Sequence, residues 1–129
     1  MAYIEHNKET DILKAYEAAI TAFGRNARFA SRKELIDTAI TYGAPRFYVS
    51  FEVARRIISI MNRGGKPYFA NKYKRLMYTE IFKRFKELTN RKDSYKALRE
   101  ILNSPAPSFF IDRYQFARII YRQIKKEVC

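Results

Sequence analysis

A stretch in the middle of the chain returns near its end. Ala44-Pro45-Arg46-Phe47-Tyr48-Val49-Ser50 reappears 62 positions later as Ala106-Pro107-Ser108-Phe109-Phe110-Ile111-Asp112, and Arg56-Ile57-Ile58 returns as Arg118-Ile119-Ile120. Of the fifteen pairs from 44/106 to 58/120, six are identical, where ordinary composition gives about one. The same offset sets Tyr16 against Tyr78, Phe23 against Phe85 and Ser31 against Asp93. A register slipped by one residue, with Phe51, Ala54 and Arg55 facing Tyr114, Ala117 and Arg118, is the other alignment of the last helix. Self-similarity of this kind means a chain made of two copies of one supersecondary unit.

Apolar periodicity makes that unit three helices, and strand-type alternation is lacking throughout. The spacing predicts α1 over about 9–23, α2 over about 32–42, α3 over about 51–62, α4 over about 68–89, α5 over about 94–103 and α6 over about 113–127. Ser31 with Glu34 forms a capping box at the start of α2, and Asp112 with Gln115 a variant of it before α6; Ser50 and Asp93 are N-caps for α3 and α5. Gly24 and Gly43 stand where helices stop, and Gly64-Gly65 forms a hinge, with Pro67 in the first turn of α4. The expected architecture is all-α: one helical domain over 1–129, with repeat unit one about 9–62 and repeat unit two about 68–127 sharing one core.

Composition then narrows the function. The 129 residues include 26 Lys plus Arg against 13 Asp plus Glu, a net charge of +13. With 47% hydrophobic residues the chain has enough apolar surface to fold. Residues 1–62 hold nine basic and seven acidic groups, whereas 63–129 hold seventeen and six. Solubility does not need such asymmetry, which points to a half that faces a polyanion. Nucleic acid is the expected partner, DNA ahead of RNA, and an anionic membrane surface is the rival. No run of 18 apolar residues occurs and Glu5 and Glu9 flank the N-terminus, so neither a signal peptide nor a span is expected and the cytoplasm is the expected location. Cys129, as the last residue, cannot open a four-residue prenylation box.

Catalytic groups are scarce. His6 alone cannot complete a Ser-His-Asp or Cys-His arrangement and reads as a solvated tail residue; a single Cys excludes a disulfide framework and leaves no Cys/His metal set. Gly64-Gly65-Lys66 lacks the Ser or Thr and the earlier Gly of a phosphate loop. No enzymatic activity, metal or cofactor is expected.

Helical geometry collects the cations. At 100° per residue, Lys72, Arg75, Thr79, Lys83 and Lys86 share a stripe of α4 about 80° wide, opposite Ala70, Met77, Ile81 and Leu88. On α6, Phe116, Ala117, Ile120 and Ile124 form the inward stripe and Arg118, Arg122 and Lys125 project outward. The outer face of α3 offers only Arg55, Arg56 and Glu52, the last at i,i+4 spacing from Arg56. Phe47 and Phe109 read as core anchors, and Tyr48 as the exposed aromatic able to stack on a base.

Ala39, Gly43 and Val49, within Leu35 to Ile58, resemble the spacing of helix-turn-helix DNA-binding proteins: a small residue, a turn Gly and an aliphatic that pack two helices together. The equivalent positions Ile101, Pro105 and Ile111 depart at the first two. The resemblance implies that the helix after the turn enters a major groove, with Arg46, Arg55 and Arg56 as its contacts. The whole chain also resembles small proteins of bacterial phages and conjugative elements. A non-enzymatic nucleic-acid-binding protein is therefore the leading expectation, and an accessory or structural protein whose basic surface docks an acidic protein or ribonucleoprotein is the alternative.

Overall fold

The computed structural model describes residues 7–88 and 93–128; His6 and Cys129, and the readings attached to them, lie outside that range. Six α-helices run in order: α1 Lys8–Phe23, α2 Arg32–Thr41, α3 Phe51–Asn62, α4 Lys72–Leu88, α5 Ser94–Leu102 and α6 Arg113–Val128. The fold class is all-α, and among the described residues the β-type pairing is a single bridge between Ala44 and Ala106.

Local capping chemistry fixes the helix starts. The Ser31 and Ser50 hydroxyls accept from the Glu34 and Val53 amides at 3.1 and 3.3 Å, and the Asp93 and Asp112 carboxylates accept from the Tyr95 and Gln115 amides at 2.8 and 2.7 Å. Each satisfies an amide that the helix itself leaves orphaned. α4 starts later than its periodicity suggested. The Asn71 side chain accepts from the Lys74 amide at 3.0 Å and caps the helix there, which leaves Pro67 to Ala70 ahead of it. Phe69 stacks on Tyr78 with ring centroids 5.5 Å apart, so this lead-in is fixed by packing. After α1, Gly24 at φ +60° ends the helix and the chain continues as a 3-10 helix, Gly24–Phe29, which periodicity did not reveal.

The chain divides into two compact units, and these do not follow the order of the sequence copies. Unit 1 is Met1–Pro45 with Ala106–Cys129, and so contains α1, α2 and α6; unit 2 is Arg46–Pro105 and contains α3, α4 and α5. The expected groupings α1-α2-α3 and α4-α5-α6 have thus exchanged their third helices. The linkers give the physical reason. In unit 2 the Phe47 amide donates to the Leu102 carbonyl at 3.1 Å and the Phe47 ring is buried, so the segment leading into α3 is pinned to the end of α5. In unit 1 the Ala44 amide donates to Ala106 O at 2.9 Å and the Ala106 amide to Ala44 O at 2.8 Å, which ties the segment leading into α6 to the end of α2.

Each unit has its own buried residues. Ile12, Ala19, Ile36, Ala39, Phe116 and Ile120 line the interior of unit 1, with Phe109 edge-on to Phe116 at 5.9 Å. Phe47, Ala54, Ile58, Ile81, Leu98 and Ile101 do so in unit 2. Every such large apolar side chain contributes about 1.5–3 kcal/mol. Phe47 and Phe109 are therefore the anchors that the repeated Ala-Pro-aromatic segments suggested, while Tyr48 is half-buried.

Candidate functional site

Charge is distributed unequally between the units even after the exchange. Unit 2, residues 46–105, carries 15 basic and 5 acidic side chains, and unit 1 carries 11 and 8. α4 carries six of those fifteen basic side chains against two of the acidic ones.

That helix buries Met77, Tyr78, Ile81 and Phe85. Because those four residues must point inward, the positions on the far side must face water. Lys72, Arg75, Thr79, Lys83 and Lys86 are indeed all exposed. The fourteen helical rises from Lys72 to Lys86 span roughly 21 Å at 1.5 Å each. Lys72 Nζ lies 5.2 Å from the Tyr73 ring centroid and Lys86 Nζ 5.2 Å from that of Phe82, which leans each ammonium along the helix surface. Among the described residues, Lys72, Arg75 and Lys83 have no carboxylate within ion-pair distance. Glu87, one turn beyond Lys83, forms no ion pair with it.

Arg84 differs from its neighbours on α4. Its Nε meets Glu80 Oε1 at 3.0 Å, and its Nη1 donates to Ser104 Oγ at 3.1 Å and to the Pro105 carbonyl at 2.8 Å. Its guanidinium also stands 5.0 Å from the Phe47 ring centroid. Four partners hold this cation to the end of α5 and to the buried aromatic, so it braces unit 2 and is not offered to a ligand.

Three other residues singled out from the sequence lie away from the stripe. Arg46 Nε donates to the Phe47 carbonyl at 3.0 Å. Arg55, not Arg56, pairs with Glu52, at 3.2 Å, and that contact raises the Arg55 pKa above its usual value. Arg56 acts instead on Tyr78, whose pKa burial pushes up and the Arg56 charge lowers.

On α6, Arg118, Arg122 and Lys125 are exposed as expected. Their face is less purely cationic than that of α4: Arg122 Nη1 stands 3.8 Å from Glu9 Oε1, and Gln123 Nε2 donates to Glu9 Oε2 at 2.9 Å. The N-terminal Arg113 of this helix is paired with Asp37 at 2.9 Å. Sequence reasoning missed two side chains on the α6 face, Tyr114 and Tyr121, which are 81% and 58% exposed. Their spacing from Arg118, Arg122 and Lys125 was a readable signal. Arg32, whose guanidinium lies 5.6 Å from the Tyr121 ring centroid, comes from α2 and left no such trace.

The helices that the helix-turn-helix resemblance joins fall in different units, α2 with α1 and α6, and α3 with α4 and α5. Among the described residues no group of three His, Cys, Asp or Glu side chains converges as a metal site would need, and no helix is long and apolar enough to cross a membrane. Comparison with models of protein families, with curated proteins and with solved structures finds no match for this chain.

Proposed function

We propose that the protein is a non-enzymatic nucleic-acid-binding protein that grips phosphates through the α4 stripe of unit 2, with DNA ahead of RNA as its ligand. The observation that carries this reading is the one-signed row Lys72, Arg75, Lys83 and Lys86, exposed on a helix whose other side is core. A face that only needs hydration alternates signs. Here side chains at i, i+3, i+11 and i+14 present ammonium and guanidinium groups along a line the length of a few nucleotide steps. Phosphate contacts of this kind fix position and strength of binding without reading bases.

Salt dependence tests it. If four phosphates are neutralised, log K falls against log salt with a slope of about −3.6, taking about −0.9 per contact. Raising salt fourfold then weakens duplex binding about 150-fold. Replacing Lys72, Arg75, Lys83 and Lys86 together with Gln is expected to flatten the slope toward zero with the far-UV circular dichroism unchanged. Binding to duplex DNA, single-stranded DNA and structured RNA that is indifferent to the quadruple substitution would refute the assignment. So would a protein that purifies at low salt free of nucleic acid but bound to an acidic polypeptide.

A further inference from the structure

The outward face of α6 combines two chemistries that the α4 stripe does not. Tyr114, Arg118, Tyr121, Arg122 and Lys125 follow an i, i+4, i+7, i+8, i+11 pattern and fall within about 100° of the helix circumference. With Ala117 between the tyrosines and Arg32 reaching in from α2, they line an open hollow of about 570 Å³ within unit 1. Four of its seven lining residues are cations, and the two large rings stand mostly in water. Ala117 between the two tyrosines is small, and the Arg32 guanidinium stands 5.6 Å from the Tyr121 ring centroid.

Tyrosine and arginine are both enriched at the surfaces through which proteins bind partners. A ring with a cation beside it and a gap next to it accepts a planar, electron-rich group flanked by negative charge. We infer that this face binds single-stranded nucleic acid, with unpaired bases stacking on Tyr114 and Tyr121 and the intervening phosphates held by Arg118, Arg122, Lys125 and Arg32. Seven residues of helix set the rings roughly 10.5 Å apart, about three stacked-nucleotide rises of ~3.4 Å. A duplex cannot offer its base faces there because they are already stacked, which separates this surface from the α4 stripe. The Glu9 carboxylate, 3.8 Å from Arg122 Nη1, bounds the cationic face at that edge. The inference rests on the proposed function in one respect, that the partner is nucleic acid, but it uses different residues in a different unit.

The test is fluorescence-anisotropy titration of the full chain with labelled oligothymidine of about ten nucleotides and with a labelled duplex of the same length. Variants Tyr114→Ala, Tyr121→Ala and the two tyrosines changed to Phe are compared with the parent. Each alanine is expected to weaken oligothymidine binding about tenfold, as loss of one stacking ring does elsewhere. The Phe variants retain binding, because a benzene ring still stacks, and duplex affinity stays the same in all of them. Both rings are exposed, so the alanine variants keep their helical circular dichroism. Parent-like oligothymidine binding by the alanine variants overturns the inference, as does an equal loss for duplex. A parent that binds duplex but not oligothymidine overturns it while leaving the α4 reading intact; a parent that binds neither overturns both.

Discussion

Adjacent cations on one helix are expected to behave in opposite ways. Lys83 is exposed and makes no ion pair among the described residues, whereas Arg84 is half-buried and held by Glu80, Ser104, Pro105 and the Phe47 ring. Changing Arg84 to Met removes two hydrogen bonds from a charged donor, a partly shielded ion pair and a cation–π contact. Hydrogen bonds from a charged donor are worth about 1.5–3 kcal/mol each, the ion pair up to about 1 and the ring contact about 0.5–1. Such contributions do not add fully within one network, and the methionine recovers some packing over Phe47. A net loss of about 2–4 kcal/mol is the result. With a urea slope of about 2 kcal/mol per molar, the unfolding midpoint falls by roughly 1–2 M. The same substitution is expected to leave the salt slope of DNA binding as it was, because this guanidinium is held by Glu80, Ser104, Pro105 and Phe47 and lies outside the proposed stripe. Lys83→Gln does the reverse: its midpoint stays within ~0.3 M, and the salt slope becomes shallower by about 0.9. Urea unfolding followed by circular dichroism, with anisotropy titrations at two salt concentrations, measures both quantities for both variants. An Arg84→Met protein with a parent-like midpoint would refute the bracing role, and a slope change as large as that of Lys83→Gln would refute the division between brace and grip.

Three further outcomes follow from particular contacts. A Cβ added at Gly43 would lie 2.7 Å from the Ala106 carbonyl oxygen, so Gly43→Ala must push apart the reciprocal Ala44–Ala106 pairing; a loss of about 2 kcal/mol in chemical denaturation is expected, against the ~0.4–1 kcal/mol gain that a compatible Gly→Ala gives. Phe47→Ala empties a fully buried ring site and is expected to cost about 3–5 kcal/mol by the same measurement. Burial raises the Tyr78 pKa above its usual 10.0, so the folded protein holds that proton longer than the unfolded chain; this contribution is intact below pH 10.0 and is lost as pH climbs through the raised value. Tyr78→Phe is therefore expected to unfold less readily than the parent when denaturation midpoints are followed above pH 10.0.

Helix positions were legible because their determinants are local. Ser31, Ser50, Asp93 and Asp112 cap where a single side chain must satisfy an amide two or three residues ahead, and no distant residue has a say in that. Where two local signals competed, periodicity misled: the apolar run through Phe69 and Ala70 suggested an earlier α4, but the Asn71 cap starts the helix at Lys72. The stripe of Lys72, Arg75, Lys83 and Lys86 followed from the helical angle alone and is exposed as that angle requires. The same arithmetic applied to aromatics would have found Tyr114 and Tyr121. What sequence could not separate was Arg84 from a free cation, because its partners Ser104 and Pro105 lie some twenty residues on.

Partner choice between helices was the other illegible quantity, and the internal similarity of the chain explains it. Periodicity identifies the face of a helix that is buried but not the surface that buries it. α3 and α6 share Arg-Ile-Ile at corresponding places, so each carries nearly the same inward pattern and would suit either pair of preceding helices. The decision passes to backbone contacts in the linkers, Phe47 to Leu102 in one unit and Ala44 to Ala106 in the other. Exchanging the third helices nevertheless leaves the electrostatics almost untouched. α3 with its linker contributes three arginines and one glutamate, and α6 with its linker carries a set of similar net charge, so the surplus stays with residues 63–105. The charge asymmetry read along the chain thus survives as an asymmetry between the units, although the units themselves are not the ones that the order of the sequence suggests.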